Sequence, residues 1–187
     1  MLYTPRLIFK NTGLAPFASD TNQLIFKWMN NEQIYLFMGD IDPFPFTQSD
    51  SVSYAESHKK DSWIVVAKEK DSWEPIGYTG LFIRKRHRIG IFRIAVAEPQ
   101  FQRAGHAFLA SKLMISWAFE ECDLFAIHLS VSEANKKAIK LYQKLGFREC
   151  GRFKKSRFEL GNRVDEIQME YTIDMYRSNG SIMKGGE

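Results

Sequence analysis

Apolar and polar residues alternate along Glu166-Ile167-Gln168-Met169-Glu170-Tyr171, which is the period-two pattern of a strand with one buried face. Other stretches read the same way. Trp63 to Lys68, Ile76 to Ile83 and Ile89 to Val96 are apolar runs separated by short polar breaks, and they predict an antiparallel meander. Arg6 to Lys10 predicts a first strand. Ala126 to Val131, β-branched at Ile127 and Val131, predicts a later one. Phe147 to Phe153, Arg157 to Leu160 and Arg163 to Tyr171 predict the terminal strands, the last two joined by a two-residue turn at Gly161-Asn162.

Helical periods fall between these strands. Leu24, Ile25, Trp28 and Met29 form two i, i+4 pairs, with Ile34 to Met38 as a candidate continuation. The prolines of Asp42-Pro43-Phe44-Pro45-Phe46 push their predecessors out of the helical region. Thr47-Gln48-Ser49-Asp50 then reads as an N-cap with an acidic third position, opening a second helix toward Lys60. Phe108 to Glu121 is amphipathic. Ala138, Leu141, Tyr142 and Leu145 share one face of a last helix, which Gly146 ends in a left-handed stop. The predicted class is α+β, with the order β-α-α-β-β-β-α-β-α-β-β. That is a mixed, mostly antiparallel twisted sheet of about seven strands with four helices.

Length and composition restrict the picture further. A chain of 187 residues with 44% hydrophobic content fits a single domain, taken as residues 1–177 with a flexible tail at 178–187. Its apolar runs are too short to span a bilayer, so no membrane is expected. Met1 to Lys10 lacks the layout of a secretory signal, which points to the cytoplasm. Cys122 and Cys150 have no metal-ligand spacing and read as free thiols, with no metal expected. The formal charge of +4 suits an anionic cofactor without requiring nucleic acid, which is not expected as a partner. The basic run Arg84-Lys85-Arg86-His87-Arg88 reads as a solvated hairpin tip. Its alternatives are a site for an anionic substrate or a ribosomal surface.

The chemistry is concentrated in two segments. Gln102-Arg103-Ala104-Gly105-His106-Ala107 lies between an apolar run and an amphipathic one, which reads as strand, glycine turn and helix. The first N–H groups of a helix lack internal partners and sit at the positive end of its dipole, so such a turn suits a diphosphate. Gly105 permits close backbone approach and Ala107 keeps the next position small. An ordinary strand-to-helix connection is the plain alternative. The second segment runs from Asn135 through Ala138 and Tyr142 to Gly146 and Phe147, with Asn135 and Tyr142 two turns apart on nearly one stripe.

Together these segments resemble the acetyl-coenzyme A signature of the GNAT N-acetyltransferase superfamily. The first resembles its Gln/Arg-x-x-Gly-x-Gly/Ala loop at Gln102, Gly105 and Ala107. The second resembles its Asn-x-x-Ala-x-x-x-Tyr-x-x-x-Gly-Phe helix. The predicted element order is also similar to the GNAT fold, so the resemblance covers nearly the whole chain. Trp28-Met29-Asn30-Asn31 and Gly161-Asn162-Arg163-Val164-Asp165 resemble the branch holding ribosomal-protein N-terminal acetyltransferases and bacterial spermidine acetyltransferases.

The resemblance implies acetyl-coenzyme A as cosubstrate and a primary amine as acceptor: a protein N-terminus, a polyamine or another small amine. The alternatives are a nucleotide-linked amino sugar, or a non-catalytic coenzyme A sensor. It implies that Gln102, Arg103, Ala104, Gly105, His106 and Ala107 hold the diphosphate. Ala95 and Val96 would meet the pantetheine arm and the oxyanion through their backbone. Asn135 and Ala138 would serve the cofactor, although Asn135 equally suits a helix cap. Tyr142 is implied as the acid that protonates the leaving thiolate, against a plain reading as a core aromatic.

The base departs from the family pattern, because the fifth strand reads Leu129-Ser130-Val131 where many relatives carry a glutamate. Glu98 is taken as the candidate, with His87, His128 or a water chain as alternatives. Glu32, Asp40, Asp42 and Asp165, with Tyr35, Phe37, Phe44 and Phe46, are candidates for holding a cationic acceptor; surface acids beside a loop that covers the core would look the same. A homodimer through the edge of the terminal hairpin is implied by analogy.

Overall fold

A computed structural model describes residues 3–35 and 45–179, and they fall into two compact units. The first comprises residues up to Gly80 together with Ile94–Ala110, and the second comprises Leu81–Arg93 with the residues from Ser111 onward. Strands β4 (Ser72–Arg84) and β5 (Ile89–Val96) and helix α4 (His106–Glu120) pass from one unit into the other.

In the first unit, β1 (Leu7–Phe9), β2 (Thr12–Ala15), β3 (Ser62–Glu69) and β4 pair antiparallel in that order. Helices α1 (Thr21–Met29), α2 (Glu32–Tyr35) and α3 (Gln48–His58) belong to the same unit. The apolar stripe of α1 does what its spacing predicts: Ile25, Trp28 and Met29 are buried in one core with Ile64, Val66, Tyr78 and Ala97. The Trp28 and Tyr78 rings stack at 6.3 Å. Thr47 and Asp50 close a reciprocal capping box at the start of α3, as expected.

One irregularity positions the end of β5. Val65 pairs with Gly77 and Val66 with Pro75, which leaves Ile76 as an extra bulged residue. Pro75 has no N–H to give a ladder, so a bulge is a natural place for it. The Ile76 carbonyl is then turned to accept from both Ala97 N (2.8 Å) and Glu98 N (3.1 Å). A Cβ on Gly77 would lie 2.0 Å from the Ala95 carbonyl oxygen. Only glycine lets the two backbones approach this closely.

In the second unit, β5 runs parallel to β6 (Ala126–Ser132), which pairs antiparallel with β8 (Asn162–Thr172), and β8 with β7 (Arg148–Glu159). The parallel register covers three of the eight residues of β5, Ile89–Ile91. Helix α5 (Lys136–Leu145) ends at Gly146, φ 107°, where a side chain would press on the Tyr171 ring. Phe92, Phe119, Tyr142, Phe147, Tyr171 and Tyr176 form an aromatic core, with ring centroids 4.9 to 6.4 Å apart.

The α+β class and the mostly antiparallel sheet are as predicted, but several boundaries differ. There are eight strands among the described residues instead of about seven, because Thr12–Ala15 pairs with both β1 and β3. Its Gly13 hides that strand from a propensity argument. Two short helices, α2 and α6 (Ile173–Ser178), are added, the latter capped by the Thr172 hydroxyl on Met175 N. β7 is one bulged strand where a break was expected, with Lys155 left-handed at the irregularity. The hairpin turn is Leu160-Gly161, one residue earlier than expected. Both have positive φ, as a two-residue I′ turn requires. Residues 36–38 of the expected helix continuation and 180–187 of the expected tail lie outside the described residues.

Candidate cofactor and catalytic residues

The first unit carries the expected cofactor loop. β5 ends at Val96, a 3₁₀ turn spans Pro99–Phe101, and the Gln102 side-chain amide donates to the Val96 carbonyl at 3.1 Å. The first residue of the motif is thereby tied to the strand end that holds Ala95 and Val96. Arg103 (φ 62°) and Gly105 (φ 89°) are both left-handed, on either side of Ala104, and α4 begins at His106. Gln102 to Gly105 are exposed, and a Cβ placed on Gly105 would meet nothing within 4 Å. Open ground at the positive end of a fifteen-residue helix suits two phosphates. The residues present therefore fit a diphosphate-bearing cofactor.

His106 enters this loop through its backbone. Its imidazole is buried, with Nδ1 2.7 Å from the Thr12 hydroxyl and the ring edge-on to Phe101. Burial lowers its pKa, which favours the neutral ring. Ala107, the second helical residue, is half-buried.

Glu98 is almost fully buried, and its Oε1 accepts from Lys27 Nζ (2.6 Å) and Trp28 Nε1 (2.8 Å). Burial alone would raise its pKa, but the two donors and the Lys27 charge outweigh it and leave the carboxyl below its usual range. Glu98 is thus held ionised, which makes it a good charge partner and a weak proton acceptor. Neither Lys27 nor Trp28 was anticipated, although a buried indole N–H needs an acceptor and so pointed to one. A cleft of about 740 Å³ opens beside Glu98, lined also by Glu69, Glu74, Lys27, Phe101 and His106.

A carboxyl whose folded pKa is depressed stabilises the fold above its unfolded pKa and loses that contribution as pH falls through the folded value. Glu98→Gln is therefore expected to lower the melting temperature near neutral pH. The gap to wild type should narrow once pH drops below the ordinary glutamate value of 4.5. Thermal melts across that range check it, and a pH-independent gap would contradict the ion-pair account.

The second unit carries the other motif. The Asn135 side chain accepts from Ala138 N at 3.1 Å, so it caps α5. Replacing it with alanine is expected to cost about 1 kcal/mol, read by chemical denaturation. Tyr142 is buried, edge-on to Phe92 (6.3 Å) and Phe147 (5.9 Å), and burial pushes its phenol up to about 12. It stays a proton donor throughout the physiological range.

The remaining candidates are dispersed. His128 is half-buried on β6 opposite Glu170, and His87 is exposed in the 3₁₀ turn before β5. Asp165, expected in an acceptor site, accepts from Lys154 Nζ (2.8 Å), Lys155 N (3.0 Å) and Arg152 (3.4 Å) within its own hairpin. Those donors, the Lys154 side chain first, hold its carboxyl at about 2. Its charge is already satisfied there. Glu32 is exposed on α2, Tyr35 falls within α2, and Phe46 packs against the first core and the Tyr54 ring. Asp40, Asp42, Phe37 and Phe44 lie outside the described residues.

Comparison with known proteins bears on these arrangements. The mouse alpha/beta-tubulin-N-acetyltransferase 9 is 24% identical over 154 residues, covering 76% of this chain and 64% of that protein. The spermidine N(1)-acetyltransferase of Escherichia coli K12 is 35% identical over 83 residues, 44% of each chain. The chain thus spans less than two thirds of either relative's length. The crystal structure of Vibrio cholerae spermidine N-acetyltransferase, in complex with CoA and spermine, superposes with a TM-score of 0.79 at 23% identity. That match covers 90% of this chain and 99% of the other. Residues 12–148, which hold the Gln102–Ala107 loop and the Asn135–Phe147 helix, match the Acetyltransferase (GNAT) domain, and the chain belongs to that family.

Proposed function

We propose that this chain is an acetyl-coenzyme A-dependent N-acetyltransferase that passes the acetyl group directly to a primary amine. The observation that carries the reading is the exposed, doubly left-handed Gln102–Gly105 loop at the positive end of α4, tied by Gln102 to the end of β5. The cosubstrate supplies a thioester carbonyl carbon open to attack; the residues hold it and manage protons. The loop backbone binds the diphosphate. Ala95 and Val96, just before the Ala97 and Glu98 amides that the Ile76 carbonyl holds, offer the peptide edge for the pantetheine arm and the oxyanion. One such donor is worth about 3 kcal/mol in the transition state. Tyr142 donates a proton toward the sulfur as the C–S bond breaks. Glu69 and Glu74, on the cleft beside the Lys27-paired Glu98, attract the cationic amine, whose proton leaves through water.

For the acceptor we favour a polyamine. Three glutamates, Glu69, Glu74 and Glu98, line one cleft against the single cation Lys27, a charge balance suited to a polycation. The relatives that act on spermidine support the same class. For self-association we favour the edge strand β7, where Phe153 and Phe158 are 58% and 66% exposed.

A thiol-release assay with acetyl-coenzyme A tests the reading against polyamines, N-terminal peptides and nucleotide amino sugars. Release with spermidine or spermine is expected. Release only with a peptide or an amino sugar would move the acceptor class. Coenzyme A binding with no release on any amine would make the chain a sensor instead of an enzyme.

A further inference from the structure

Five consecutive residues, Arg84-Lys85-Arg86-His87-Arg88, have no part in the proposed reaction. Arg84 ends β4, Lys85–His87 form a single 3₁₀ turn, and Arg88 leads into β5. The turn is fixed in place by Arg88. Its N–H donates to the Lys85 carbonyl (3.2 Å), and its carbonyl accepts from Phe125 N (2.7 Å). Its guanidinium forks onto Asp123, with Nε on the carbonyl (2.8 Å) and Nη2 on the carboxylate (2.5 Å). Arg88 is also left-handed, φ 54°, a conformation disfavoured for a residue with a Cβ. An arginine stands in that position because its side chain locks the turn to the start of β6.

The neighbouring cations are used differently. Arg84, Lys85, Arg86 and His87 are all exposed, and among the described residues none of them is paired with a carboxylate. Three permanent positive charges therefore stand on a hydrogen-bonded turn without a carboxylate partner among the described residues. Two large exposed side chains flank the turn along the backbone: Phe82, 55% exposed, two residues before Arg84 on β4, and Phe125, 52% exposed, just before β6. Arg88 is bonded directly to the Phe125 backbone. Exposed cations with exposed aromatics on an anchored tip form an interaction surface, where a solvated turn would need neither the anchor nor the rings.

The charge selects an anionic partner, and the scale of the patch selects its kind. A nucleic-acid binder tracks the sugar–phosphate backbone along a basic groove over several nucleotides. Here the cations occupy one helical turn, and the chain as a whole carries 26 basic against 22 acidic residues. A short stretch mixing carboxylates with apolar side chains satisfies both the cations and the rings. We propose that the Arg84–Arg88 turn, flanked by Phe82 and Phe125, docks an acidic polypeptide segment of a partner protein. The turn shares no residue with the Gln102–Gly105 loop, which belongs to the other compact unit.

Binding is tested without acetyl-coenzyme A, so the result stands apart from the acetyl-transfer reading. The probes are a fluorescein-labelled peptide of alternating glutamate and leucine, the same peptide with lysine for glutamate, and labelled single-stranded poly(U). Wild-type protein is expected to raise the anisotropy of the acidic peptide only, with affinity falling as salt rises. The combined Arg84→Glu, Lys85→Glu, Arg86→Glu variant should weaken it at least tenfold while turnover of a small amine is unchanged. Phe82→Ser with Phe125→Ser should weaken it with the salt dependence retained. The proposal is overturned if the acidic peptide does not bind, if the charge-reversed variant binds equally well, or if poly(U) binds as tightly as the peptide.

Discussion

Replacing Tyr142 with phenylalanine is expected to lower kcat about 100-fold or more, the range in which a positioned general acid contributes, while coenzyme A binding stays near wild type. The substitution removes one hydroxyl and keeps the ring that packs against Phe92 and Phe147, so folding and the α5 face should survive. Steady-state kinetics with calorimetry for the free-thiol cofactor separate the two effects. A pH profile adds an independent check. Burial holds the phenol near 12, so wild-type kcat should show no alkaline fall from this group until pH approaches that value. Rates should rise instead as the acceptor ammonium, with an ordinary pKa of about 10.4, loses its proton. Unchanged turnover in Tyr142→Phe would leave this residue as an aromatic core side chain only.

The second large effect is expected at Gly105. Valine there must adopt φ near 89°, a strain of about 1–2 kcal/mol for a residue with a Cβ. Its side chain would also fill the open ground where the phosphates are placed. The acetyl-coenzyme A dissociation constant should rise at least tenfold, about 1.4 kcal/mol. Gly161 supplies the control, since it also has positive φ (80°) with nothing within 4 Å, but lies in the terminal hairpin turn. Gly161→Val should cost comparable stability and leave the dissociation constant alone. An equal loss of affinity in both variants would trace the effect to general destabilisation and remove the loop assignment.

How much of this was legible beforehand follows from which forces are local. The α1 stripe, the Thr47–Asp50 cap, the α5 face with its Gly146 stop and the alternating β8 could all be read from neighbours in the chain. Their periods and caps are set by residues within a turn or two. The Thr12–Ala15 strand was not legible, because its ladder partners are remote residues such as Val65 and Ala67. The Ile76 bulge escaped for the same reason, and so did the close approach of Gly77 to Ala95.

The site divides along the same line. The glycine turn ahead of α4, a cap-forming residue type at Asn135 and the helix face that carries Tyr142 could be read locally, because backbone sterics and helical spacing act over a few residues. Long-range packing sets the rest: Glu98 is held ionised by Lys27 and Trp28, and the His106 ring turns inward to Thr12. It also pairs the ionised Asp165 with donors inside its own hairpin. A titratable group takes its charge state from burial and from the donors that folding brings to it, and those partners are set by packing across the chain.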